Sequence, residues 1–80
     1  MAMNDARCVD CTRLQKAALD AIVQHYRAED RLAIAKLQND SPQVTILEPQ
    51  VEHLLEERRA AVQAFQEHIA THPQAASSAG

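Results

Sequence analysis

The chain has 80 residues, 46% hydrophobic and 24% charged, with a formal net charge of -3 and a pI near 5.7. That length holds one domain at most, and the acidic balance excludes a general attraction to nucleic acid or anionic membrane. No apolar run approaches the roughly 20 residues that span a bilayer, and no basic start leads into an apolar core. A cytoplasmic location without a membrane role is expected, where cysteines stay thiols unless they bind metal or cycle redox state.

Residues 1–11 read as a flexible N-terminal arm that carries Cys8-Val9-Asp10-Cys11. Thr12-Arg13-Leu14-Gln15 then matches a capping box and opens a helix over 12–39. Leu14, Ala18, Ala21, Ile22, His25, Ala28, Leu32 and Ala35 recur at helical steps and form its inner stripe. Leu19, Tyr26, Ala33 and Leu37 make a second apolar face, so this helix is expected to touch more than one neighbour. Asn39-Asp40-Ser41-Pro42 stops it, because three residues compete for backbone bonds and the proline ring has no N–H.

The turn is expected near 40–48, with Val44-Thr45-Ile46-Leu47 covering the end of the hairpin. Pro49 suits the opening turn of a second helix, which runs to His72. Val51, Leu55, Arg58, Val62, Phe65, Ile69 and His72 step by four and three along it, with Leu54 and Ala61 beside them. Residues 73–80, starting at Pro73, read as a disordered tail, which leaves 12–72 as the hairpin. A turn centred near 43–44 makes facing positions sum to about 87, which sets Ile22 against Phe65 and Glu29 against Arg58.

The first helix is rich in base (Arg13, Lys16, Arg27, Arg31, Lys36) and the second in acid (Glu48, Glu52, Glu56, Glu57, Glu67). Opposite signs favour side-by-side packing, though exposed pairs add only about 0–1 kcal/mol each. Much of the hydrophobic content is alanine, so a thin core must offset about 1.5 kcal/mol of ordering cost per residue. The expected fold is all-α: a two-helix antiparallel hairpin that dimerises into a four-helix bundle. Leu14, Ile22, Leu32, Leu55, Val62, Phe65 and Ile69 are its core candidates.

Two clusters could carry chemistry. Cys8 and Cys11 share one end of the hairpin with His68 and His72, which lie one turn apart on one helix face. Two thiolates and two imidazoles suit tetrahedral zinc, although the spacing between the halves matches no compact zinc-finger signature. Pro73 also disfavours helical dihedrals at His72. A CxxC pair near a helix start also suits thiol exchange, but no βαβ context accompanies it, and the plainest reading leaves Cys8 and Cys11 as incidental thiols of a terminal arm.

His25 reads as a satisfied, semi-buried side chain beside Tyr26, and His53 as a solvated partner of Glu57. No HExxH, phosphate loop, dinucleotide fingerprint or Glu-x-x-His pair is present, so no catalytic residue is assigned and an enzyme is not the expectation. One tyrosine and one phenylalanine give little stacking surface, so nucleic acid is not an expected partner.

The leading expectation is a small protein-interaction or regulatory adaptor, homodimeric and without cofactor. Its second contact face is Leu19, Tyr26, Ala33 and Leu37, open to a heterologous protein partner. The alternatives are a zinc-binding regulatory module with Cys8, Cys11, His68 and His72 as ligands, and a thiol-redox protein.

Overall fold

The computed structural model of the protein describes residues 8–72, and the first seven and last eight residues lie outside it. Residues 1–7 of the arm expected over 1–11, and the tail expected over 73–80, therefore fall outside the described residues. Helix α1 runs Val9–Leu37 and helix α2 runs Ser41–Ala70, and the two pack against each other as an antiparallel hairpin. The all-helical hairpin expected from the periodicity is the fold of the chain. Among the described residues no helix is long and apolar enough to cross a membrane.

α1 begins earlier than the Thr12 capping box implies. Cys8 is its N-cap: the Cys11 N–H donates to Cys8 Sγ at 3.3 Å, and the Thr12 N–H donates to the Cys8 carbonyl at 3.3 Å. A cap formed one turn upstream satisfies the orphan amides first, and Cys11 thus sits in the first helical turn rather than in an arm.

The reversal is also shorter than expected. Asn39 takes φ 56°, and the Asn39 and Asp40 amides donate to the Lys36 and Ala35 carbonyls at 3.1 and 2.9 Å. These two bonds close a Schellman motif, with asparagine in the left-handed position usually held by glycine. Asp40 then caps α2, its Oδ1 accepting from the Gln43 N–H at 3.3 Å, while Pro42 sits at the helix start. The expected 40–48 turn is therefore the three residues 38–40.

Val44–Leu47 is helical rather than an end cover, because Val44, Leu47 and Val51 continue the 3–4 step of the seam. Pro49 falls inside α2 instead of opening it. Its missing N–H leaves the exposed Thr45 carbonyl without its helical partner, while the Thr45 hydroxyl donates back to the Ser41 carbonyl at 3.1 Å.

The seam has strict heptads on both sides. Cys11, Leu14, Ala18, Ala21, His25, Ala28, Leu32 and Ala35 are the partly or fully buried residues of α1 at steps of three and four. Across from them Val44, Leu47, Val51, Leu54, Arg58, Ala61, Phe65, His68 and His72 do the same. Only Ala18, Ala28, Ala35, Leu47 and His25 are buried among the described residues, and none of them completely. One helix pair gives a seam rather than a core. The charge pairs Asp10–Arg13, Lys16–Asp20, His25–Glu29 and His53–Glu57 each lie within one helix.

Candidate metal centre

The start of α1 and the end of α2 meet at the open end of the hairpin. Cys8 contributes from the N-cap and Cys11 from the first turn, one helical turn along the same face. His68 lies in the last turn of α2. His72 lies just past it, where the chain tightens: the Thr71 N–H donates to the His68 carbonyl at 3.1 Å and the His72 N–H to the Ile69 carbonyl at 3.0 Å. The Thr71 hydroxyl also donates to the His68 carbonyl, at 2.7 Å. The departure from helix that Pro73 implies is absorbed by this turn, and the His72 ring still reaches the cluster.

One ligand atom from each of the four residues lies within 4.8 Å of all the others, and all four side chains are half-buried. Cys8 Sγ is 3.3 Å from His68 Nε2 and 3.5 Å from His72 Nε2. Cys11 Sγ is 3.5 Å from His72 Nε2, and the two Nε2 atoms are 3.1 Å apart. A tetrahedron with metal–sulfur bonds of about 2.3 Å and metal–nitrogen bonds of about 2.0 Å has edges of about 3.3 Å between nitrogens and about 3.5 Å between sulfur and nitrogen. The four measured edges fit that figure closely. The cluster could hold a metal ion.

Hydrogen bonding alone accounts poorly for this convergence. An imidazole nitrogen offers one in-plane position, occupied either by a proton or by a lone pair. His72 Nε2 nevertheless faces two sulfurs and another ring nitrogen, all within 3.5 Å. Protons can satisfy one of those contacts at a time, whereas a central cation satisfies all of them. The helix ends add to this. The positive end of α1 lies at the sulfur side, and the negative end of α2 lies beside the histidines and any bound cation.

No family model, curated protein or solved structure matches the chain. No disulfide joins Cys8 and Cys11, and Cys11 Sγ also lies 3.8 Å from His72 Nδ1.

The second apolar face is exposed: Leu19 by 56%, Tyr26 by 55% and Leu37 by 84%, with Ala33 also open. Val23, 44% exposed, lies on the same stripe and was not in the expected set. His53 is exposed and meets Glu57 at 3.1 Å, as its i,i+4 spacing implies.

The register expectation fails. Arg58 does not meet Glu29; its Nη1 donates to His25 Nδ1 at 3.0 Å, and its guanidinium carbon lies 5.3 Å from the Tyr26 ring centre. The turn is centred near residue 39 and not near 43–44, so facing positions sum to about 78, and the long Arg58 side chain reaches along the seam to His25. The Asn39 and Asp40 turn signals place the reversal at 38–40 but do not yield this pair, which stands off that register by about one helical turn.

Proposed function

We propose that the chain is a zinc-stapled helical hairpin in which Cys8, Cys11, His68 and His72 are the ligands of one structural zinc ion. The observation that carries this reading is the convergence of two sulfurs and two ring nitrogens within 4.8 Å of one another, with four of their six separations near tetrahedral edge lengths. Sulfur ligands select zinc over magnesium or calcium, which take oxygen. Four protein ligands leave no coordination position for a substrate, which favours a structural role over metal catalysis. The ion would tie the free ends of two long helices together and add binding energy to a seam with little core of its own.

The stapled hairpin serves as a small protein-interaction or regulatory module. The exposed stripe of Leu19, Val23, Tyr26 and Leu37 supports this, since such a row on one helix face is a contact surface. Homodimerisation into a four-helix bundle through that stripe is the simplest arrangement.

Native mass measurement of protein purified under reducing, chelator-free conditions tests the zinc reading. One zinc per chain, lost in Cys11→Ser and His68→Ala, is the expected result; metal-free folded protein contradicts it. Sedimentation of Leu19→Glu/Leu37→Glu tests the contact face, with a shift to monomer expected and an unchanged sedimentation profile counting against it.

A further inference from the structure

The most buried residue in the seam is a histidine. His25 is 4% exposed, and it is held by an arginine from the opposite helix. A guanidinium only donates, so His25 Nδ1 accepts and the ring proton sits on Nε2. Nε2 lies 3.5 Å from Glu29 Oε2 without forming a hydrogen bond. Arg58 is thus received by a seam histidine and an outer tyrosine of α1.

A polar pair in an apolar seam is often no more stabilising than apolar side chains of the same volume. Its best-attested use is to fix register and orientation. This seam needs such a device. Ala18, Ala21, Ala28 and Ala35 are shallow knobs that resist sliding and rotation weakly. The turn at 38–40 holds only the far end. At about 1.5 Å per residue the ligand cluster lies about 40 Å away, where a hinge error of about 5° moves the helix tips by about 3.5 Å. Tetrahedral zinc tolerates about 0.2 Å.

The spacing links the pair to the cluster. His25 lies fourteen residues after Cys11, and Arg58 lies fourteen before His72, two heptads on each helix. The phase that joins His25 to Arg58 is therefore the phase that joins Cys11 to His72, whose Sγ and Nε2 are 3.5 Å apart.

We infer that His25 and Arg58 are positioning residues of the metal centre, locking the two helices in the one register that assembles Cys8, Cys11, His68 and His72. This rests on the zinc reading above.

The test compares the parent with His25→Leu/Arg58→Met and with Arg58→Lys. Zinc affinity is measured by chelator competition, and cross-helix proton contacts are recorded by NMR on the metal-free proteins. The double variant is expected to keep its helix content and metal-free melting temperature, yet bind zinc at least tenfold more weakly and lose the Cys11–His72 contacts. Arg58→Lys, which can still donate to Nδ1, is expected to fall between. A double variant, or Arg58→Lys should the double variant not fold, with the parent's zinc affinity and intact Cys11–His72 contacts overturns the inference. A parent that takes up no zinc overturns the metal reading and this role with it. The metal-free contacts, recorded separately, distinguish that failure from a failure of register alone.

Discussion

Cys8 has two jobs, and they can be separated. Its sulfur caps α1 by accepting the Cys11 N–H and also faces both histidines. Serine is a good N-cap but a poor zinc ligand. Cys8→Ser is therefore expected to leave metal-free helix content unchanged while weakening zinc binding by about 100-fold or more. Circular dichroism with a zinc titration checks both, and equal loss of helix and zinc would make the capping role the whole of it. Asn39 offers a second test, because its φ of 56° is one that β-branched residues avoid. Asn39→Val is expected to cost about 1–2 kcal/mol in chemical denaturation, and Asn39→Gly to cost little. At this scale the four residues of the cluster were legible, since CxxC and the i,i+4 histidines announce themselves by type and spacing. The His25–Arg58 bond was not, because it depends on a register that no local pattern carries.

At the scale of elements, the inner stripe of α1 from Leu14 to Ala35 was readable from helical periodicity, and the α2 seam in part: Val51, Arg58, Phe65 and His72 lie on it as expected, while Leu54, Ala61 and His68 stand where Leu55, Val62 and Ile69 were expected. Boundaries were harder. Val44-Thr45-Ile46-Leu47 has strand-prone composition, yet the Asp40 cap and Pro42 start a helix before it and the seam spacing carries through. Pro49 was misleading for the same reason: its place at a helix start is a preference, overridden here by tertiary packing along the Val44, Leu47 and Val51 seam. An interior proline removes one helical hydrogen bond at a position open to solvent. Pro49→Ala is accordingly expected to raise stability by about 1–3 kcal/mol in denaturant unfolding. An unchanged or lowered midpoint would mean that the proline's restriction of the unfolded chain offsets the lost bond.

For the whole molecule, two long helices share a seam with few buried side chains, and the Cys8, Cys11, His68 and His72 cluster closes the end opposite the turn. Stability should then follow metal. With zinc at about 1,000 times its dissociation constant, linkage adds about 4 kcal/mol, or on the order of 15–30 °C for a domain of this size. A thermal melt that chelator leaves in place would contradict that coupling. The hairpin was legible as a whole because two periodic segments flank one break. The tetrahedral fit was not, since it depends on sub-ångström placement of side chains sixty residues apart. X-ray absorption at the zinc edge measures that placement most directly. The account predicts two sulfurs at about 2.3 Å and two nitrogens at about 2.0 Å around one ion per chain. A shell of oxygen and nitrogen alone, or fewer than two sulfurs, would contradict it.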